Sequence, residues 1–332
     1  MHVSQAGQLR AHEAHVREAV GDVPIEVHPA ERTLRYRERA RLHARAANGR
    51  AIVGPNEARS RSPLSVDACA VLHPLLDEAR RKVELLLEGA NGTAEVGLSL
   101  GAERRPVLEL RFSADLPPAF FARLEDQTRA GAWGGARVWN VGVRMPAVIG
   151  DPTPWTIGAD DEALRLAPGG FGQAHSDVNR ALGNWVASHA GDARLVELYA
   201  GAGNLTVLFA RRLPQVTSVE SDADACTAAQ DNLARRGLRA RVVCADAESF
   251  SLPGDTVTVV LDPPRTGAKI VCQALARSSV RRIVYVSCDP PSLKRDLAFL
   301  ADRFAIRNAA LFEMFPHTSH VECAVVLTRR KK

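Results

Sequence analysis

The chain has 332 residues, a formal net charge of +5, 46% apolar residues and 24% charged residues. At about 100–200 residues per domain, this length predicts two domains, and the composition excludes a disordered chain, a collagen-like chain and a small disulfide-stapled scaffold. No apolar run approaches the roughly 20 residues that a membrane-spanning helix needs. Residues 1–20 carry charges and histidines where a secretory signal would be apolar, so the cytoplasm is the expected compartment. The six cysteines are Cys69, Cys226, Cys244, Cys272, Cys288 and Cys323, and no two stand in a C-x-x-C spacing. A zinc ribbon, a thioredoxin-like site or any other metal centre is therefore not expected, nor are disulfides in a cytosolic setting.

In chain order, the first conspicuous feature is basic. Nine arginines stand between Arg32 and Arg61, against two glutamates. Alternation predicts Arg35, Arg37, Arg39 and Arg41 on one face of a strand, a face that suits phosphate contacts or a solvated sheet edge. Asp67–Glu88 reads as helical with a kink or break at Pro74. Val107–Phe112 and Arg137–Val143 read as strands, so this half is α+β. Gly150–Ala159 carries two prolines and two glycines and reads as a linker. The boundary it sets divides the chain into domains 1–155 and 156–332.

Beyond the linker, strands and helices alternate. The predicted strands are Leu195–Tyr199, Val216–Glu220, Arg239–Cys244, Thr256–Leu261, Arg282–Ser287 and Ala324–Thr328. The predicted helices are Leu205–Arg212, Asp222–Arg236, Lys269–Arg277 and Pro291–Ala301. Such alternation implies an α/β fold with a mostly parallel sheet covered on both faces.

Leu195–Asn204 reads LVELYAGAGN. An apolar strand runs into a G-x-G turn, where Gly201 and Gly203 allow a ligand close to the backbone at the carboxyl end of the first strand. The third glycine of a dinucleotide fingerprint is replaced by Val207, which weakens a pyrophosphate-binding reading. Glu220 closes the next strand and is placed to accept hydrogen bonds from ribose hydroxyls. Asp246 follows the third strand and could face an adenine amino group. Acidic lining without the third glycine suits S-adenosylmethionine, with NAD as the other candidate.

Three later segments carry chemistry: VVLDPPRTG (Val259–Gly267), VYVSCDPPSL (Val284–Leu293) and FEMFPHTSHVE (Phe312–Glu322). Methylating uracil at C5 requires a thiolate that adds to C6 and a base that later removes the C5 proton. Cys288, between a strand and a helix N-terminus, is the candidate nucleophile, with helix amides expected to lower its pKa. Glu322, in a loop after His317 and His320, is the candidate base. Asp262 ends the fourth strand in the ligand crevice. Singly, these residues would be a small buried hydrophobe, a solvated acid and a rigid turn; together, in order and behind a G-x-G turn, they form a constellation.

On FGQAHSDVN, LVELYAGAGN, LDPPRTG, VSCDPPSL and MFPHTSHVE, from about Phe171 to Thr328, the sequence resembles the S-adenosylmethionine-dependent RNA uracil-C5 methyltransferases, which make 5-methyluridine in tRNA and 23S rRNA. The resemblance implies a class I, Rossmann-like methyltransferase fold with a seven-stranded sheet whose last strand is antiparallel, and an N-terminal α+β domain that helps hold RNA. It implies Cys288 as nucleophile and Glu322 as base. Gln173, Tyr199, Gly201, Gly203, Asn204, Glu220, Asp246 and Asp262 would line the cofactor and target site. The expected substrate is RNA, with 23S rRNA favoured over tRNA, and a monomer is the default.

Four departures from the family pattern stand out. Cys69 is the only cysteine before Cys226, so an iron–sulfur cluster is not expected. The N-terminal half leaves no room for the β-barrel RNA-binding domain of many relatives. His175 and Asp289 stand where relatives carry Asn, and Asp289 puts an acid beside the nucleophile. The competing readings are a methyltransferase of an exocyclic nucleobase amine, a non-catalytic RNA-binding module and an NAD-linked oxidoreductase. Arg265, in place of an aromatic residue after Asp-Pro-Pro, argues against the first.

Overall fold

A computed structural model describes residues 3–57, 60, 62–191 and 194–331. The chain begins with α1 (Gln5–Val20), β1 (Ile25–His28), β2 (Arg39–Ala47), β3 (Arg50–Gly54), α2 (Pro74–Leu86), β4 (Gly92–Leu100), β5 (Pro106–Phe112), α3 (Pro118–Arg129), β6 (Gly135–Trp139) and β7 (Ala147–Gly150). A small hairpin, β8 (Trp155–Ile157) and β9 (Ala163–Arg165), leads to α4 (Ser176–His189). There follow β10 (Leu195–Leu198), α5 (Thr206–Arg212), β11 (Val216–Glu220), α6 (Ala223–Arg235), β12 (Arg241–Cys244), β13 (Thr258–Leu261) and α7 (Lys269–Arg277). The last elements are β14 (Arg282–Ser287), α8 (Pro290–Leu300), β15 (Phe304–Phe312) and β16 (Glu322–Arg329). Among the described residues, no helix is long and apolar enough to cross a membrane.

Two compact units emerge. One holds an eight-stranded sheet in the order β1-β15-β16-β14-β13-β10-β11-β12. Its strands are parallel except β16, which runs against both neighbours. The central strands are apolar because both faces are covered. Val196, Leu198, Val259, Leu261, Ile283 and Tyr285 pack with residues of α1, α7 and α8. Their alternates Leu195, Val260, Val284 and Val286 pack with α4 and α5.

The seven-stranded expectation is corrected to eight. β1 adds a strand outside β15, with Ile25 beside Ala309 and His28 beside Phe312. The single cut near residue 155 is likewise too simple. The residues up to Thr33 join the eight-stranded unit, and Arg165–Ala174 join the other. Pairing between a strand at one end of a chain and another near its far end leaves no local sequence signal.

The second unit holds a six-stranded sheet, β3-β2-β4-β5-β6-β7, antiparallel except for β5 and β6. Helices α2 and α3 pack against it through Leu76, Val83, Phe120 and Leu124, around the fully buried Trp133. Pro74 neither kinks nor breaks a helix; it is the first residue of α2, where its missing N–H costs nothing. The arginine alternation is also displaced. Arg35 has φ +55° and Arg37 forms only an isolated bridge to Leu72, so the strand begins at Arg39. Arg41 and Arg45 are exposed while Ala40, Leu42 and Ala44 point into the core. Arg59 and Arg61 lie outside the described residues.

Candidate active site

In an open parallel sheet, the residues just past the carboxyl ends of the strands face the ligand crevice. Leu198 pairs with Leu261, and Leu261 with Tyr285, so β10, β13 and β14 end at one edge. Tyr199, Asp262 and Cys288 leave the sheet there. β16 runs the other way and therefore begins at that edge with Glu322. Ser287 pairs with Cys323, which sets Cys288 and Glu322 one residue outward on adjacent strands. Glu322 is thus not a loop acid: it is the first residue of β16, paired with Phe312 and only 3% exposed.

The two Asp-Pro-Pro turns hold each other. Asp289 caps α8 by accepting the N–H of Ser292 at 2.9 Å. The Ser292 hydroxyl donates to the Arg265 carbonyl at 2.8 Å, and Arg295 donates to the Thr266 carbonyl at 2.7 Å. Asp296, fully buried, accepts the N–H of Ala268 at 2.6 Å and the Tyr285 hydroxyl at 2.8 Å. Gly267, at φ +76°, closes this turn against α8, and a Cβ there would lie 2.4 Å from Asp296 Oδ2. That contact explains why the segment ends in glycine.

The electrostatics correct one expectation. The Cys288 thiol is not lowered; burial, then Glu322 and Asp262, push it up to about 11, while Arg265 pulls the other way. Burial and Asp262 hold Glu322 well above the usual carboxylate range, again opposed by Arg265. Asp262 is pushed up to about 7 by burial. The helix N-terminus is already used by the Asp289 carboxylate, so α8 offers its first turn to an acid and not to the thiol. Arg265 is a further candidate, and its signal was its position, four residues past the end of β13 in the crevice. Its guanidinium lies 3.3 Å from His320 Nε2.

The cofactor side is mixed. Gly201 (φ +55°) has open space where a Cβ would stand, whereas Gly203 (φ +84°) lies against Ala229. The Glu220 carboxylate accepts the N–H groups of Gly201 and Asp222, each at 2.9 Å, and so braces the turn from the end of the second strand. Asp246 is exposed beyond β12, accepting the N–H of Glu248 at 2.8 Å. Tyr199 is half-buried at φ +63°, and burial pushes its hydroxyl up. Glu197, fully buried, is pushed up to about 8 by burial and accepts the Thr206 hydroxyl at 2.5 Å. Asn204 departs from the expected lining. Its amide pairs reciprocally with Asn179, at 2.8 and 3.1 Å, and accepts the N–H of Ala159, fastening the turn to α4. Gln173 belongs to the six-stranded unit, where its Oε1 is a buried acceptor with no hydrogen-bond partner among the described residues.

A cysteine, an acid on the neighbouring strand, an arginine and an acid-lined glycine turn thus share one sheet edge. Comparison with known proteins agrees. The family model "tRNA (Uracil-5-)-methyltransferase" matches residues 245–330, and "Methyltransferase domain" matches 195–265. The chain is 33% identical over 322 residues to the 23S rRNA (uracil(1939)-C(5))-methyltransferase RlmD of Methylococcus capsulatus, covering 89% of this chain and 70% of that protein. The chain belongs to the RNA uracil-C5 methyltransferase family. It is also 34% identical over 320 residues to the RlmD protein of Chromohalobacter salexigens, covering 89% of this chain but only 65% of that relative's length. In fold, it is similar to the Pyrococcus abyssi tRNA (uracil-54, C5)-methyltransferase, solved with S-adenosyl-L-homocysteine. The TM-score is 0.80 at 21% identity, covering 98% of this chain and 84% of that one.

The two substitutions against the family pattern have local explanations. Asp289 serves as a helix cap, and its acid is not among the groups that raise the Cys288 thiol. His175 is fully buried, with Nε2 2.8 Å from the Arg32 carbonyl, and burial lowers its pKa.

Proposed function

We propose that this chain is an S-adenosylmethionine-dependent RNA (uracil-C5)-methyltransferase whose substrate is 23S rRNA. The observation that carries the reading is the register of β14 against β16, which puts Cys288 and Glu322 side by side at the crevice with Asp262 and Arg265. The RlmD relatives favour ribosomal RNA as the substrate class.

The residues fit a cationic, adenosine-bearing cofactor. The crevice edge gathers more acids than bases, with Asp262 and Glu220 close enough to Glu197 to raise its pKa. Gly201 leaves room for backbone approach. Glu220, Asp246, Tyr199 and Asp262 would hold it. When bound, S-adenosylmethionine supplies the electrophilic methyl group.

The protein's own part is proton and bond management. The Cys288 thiol releases its proton to solvent and its sulfur adds to C6 of a uracil turned out of its stack, which moves the C5–C6 electron pair onto C5 and O4 as an enolate. Arg265 is the positive charge that favours the thiolate, against Glu322 and Asp262. After methyl transfer, the Glu322 carboxylate takes the C5 proton, the C5–C6 double bond re-forms and the Cys288–C6 bond breaks. In the other unit, the exposed Arg41 and Arg45 on β2 are placed for phosphate contacts with the RNA.

The test is covalent trapping. Fluorine at C5 blocks the last proton removal, so 5-fluorouridine-substituted RNA with S-adenosylmethionine is expected to give a denaturation-resistant adduct. Cys288→Ala should give none. An adduct that survives Cys288→Ala, or none with the parent protein despite cofactor binding, would sink the reading. Sequencing the trapped RNA names the substrate, and recovery of tRNA alone would overturn the ribosomal assignment.

A further inference from the structure

The reaction uses α1 for nothing, yet one face of that helix is spent on the loop that precedes Glu322. Gln5, Gln8 and His12 are spaced three and four residues apart and so share a face. Gln5 Nε2 donates to Glu313 Oε2 at 2.7 Å and to the Ala30 carbonyl at 2.8 Å. Gln8 grips His317 twice: its Oε1 accepts the His317 N–H at 2.8 Å, and its Nε2 lies 3.3 Å from His317 Nδ1. His12 Nε2 lies 3.0 Å from the Thr318 carbonyl.

These contacts span the connection from the end of β15, at Phe312, to the start of β16, at Glu322. His317 stands inside it at φ +67°, a backbone conformation that a non-glycine residue holds only when its surroundings impose it. The loop then reaches the crevice a second way. Thr318 Oγ1 accepts the His320 N–H at 3.2 Å, and the His320 ring lies against both Phe315 and the Arg265 guanidinium. Helix anchoring does not need the polar face. Val16 and Val20, in the second half of α1, already bury it against the core.

We infer that α1 is a positioning element for the general base, with Gln8 as its central residue. By clamping His317, Gln8 fixes where β16 begins, and with it the Glu322 carboxylate. A base misplaced by about an ångström loses rate sharply, whereas Cys288 is carried by β14 and α8, and the side chains of Gln5, Gln8 and His12 hydrogen-bond to Ala30, Glu313, His317 and Thr318. The inference rests on the methyl-transfer reading above and predicts a specific failure: Gln8→Ala should form the covalent intermediate normally and resolve it slowly.

The experiment measures two quantities with full-length protein. On ordinary RNA with S-adenosylmethionine, the steady-state fraction of Gln8→Ala held as a denaturation-resistant, methylated adduct should rise at least about fivefold over the parent. On 5-fluorouridine RNA, its rate of trapping should stay within about twofold of the parent. Glu18→Ala, an exposed change elsewhere on α1, should move neither. If trapping and turnover fall together in Gln8→Ala, the helix only supports folding and the inference is wrong. It is equally wrong if both stay at the parent's values. Absence of trapping in the parent protein would instead remove the reaction itself, a distinguishable failure.

Discussion

Arg80 in the six-stranded unit and Glu322 in the eight-stranded unit are both almost wholly buried, at 1% and 3% exposure, but their surroundings are opposite. Arg80 is saturated. It donates to Asp77 at 2.9 Å, to Glu84 at 3.0 Å, and to the carbonyls of Val53 and Asp67 at 3.1 and 3.4 Å. It ties α2 to β3 and to the segment before the helix. Glu322 faces another acid, Asp262, and the thiol of Cys288, with Arg265 as the opposing charge. A charge buried among compensating partners is structural. Acids buried together with raised pKa values are held in a state that substrate and cofactor must complete.

The sharpest way to test that contrast is to remove the base. Glu322→Gln keeps shape and hydrogen bonding but takes no proton, so turnover should drop by about 10²–10⁴-fold. The methylated adduct on ordinary RNA should become the dominant enzyme species, read by denaturing gel and radiolabelled methyl. Rapid product release from that variant would assign the base elsewhere.

The opposite arm is Arg80→Ala. It leaves Asp77 and Glu84 facing each other without their cation, and stability should fall by about 3–5 kcal/mol, measured by denaturant unfolding. Cofactor binding by the protein that remains folded should be unchanged. A loss of cofactor affinity without a loss of stability would mean that Arg80 is not the structural charge described.

The smallest effect concerns pH. Glu197 and Asp262 have folded-state values of about 8 and about 7, both above the ordinary carboxylate. Their neutral forms favour the fold, so this stability is fully present below the ordinary carboxylate range. It is lost as pH rises through about 7 to 8. The free protein should therefore melt a few degrees lower at pH 8.5 than at pH 5.5. Glu197→Gln should flatten part of that slope. Activity should move the other way, rising over the same window as Asp262 loses its proton. A melting temperature that climbs with pH would show that these acids are not buried as described.

The sequence revealed the central strands because they are buried on both faces and read as apolar runs: β10, β11, β13 and β14 fall within a residue or two of their expected ends. It also marked Cys288, Asp262 and Glu322 as candidates, although it read Glu322 as a loop acid and not as the first residue of β16. It hid β15, whose run is interrupted by Arg307 and Asn308 at a bulge, and β1, which is only four residues long. Helix α1 was illegible for a different reason. The face it presents to the His317 loop is polar, so its periodicity does not announce a buried surface. Asn204 was misread because a turn asparagine can face either a ligand or its own scaffold, and only its pairing with Asn179 decides.

Consider finally the strand pair β1 and β15. During synthesis, the segment that carries β1 leaves the ribosome long before β15, the strand whose edge it completes. Until Phe312 has emerged, β1 has no strand to pair with, while the six-stranded unit can close within its own stretch of chain. Sequence-distant pairing of this kind is slow to form. The protein should therefore acquire its active-site geometry only at the end of folding, and refolding followed by Trp185 fluorescence, whose indole donates to Glu26 on β1, should report that docking as the last phase.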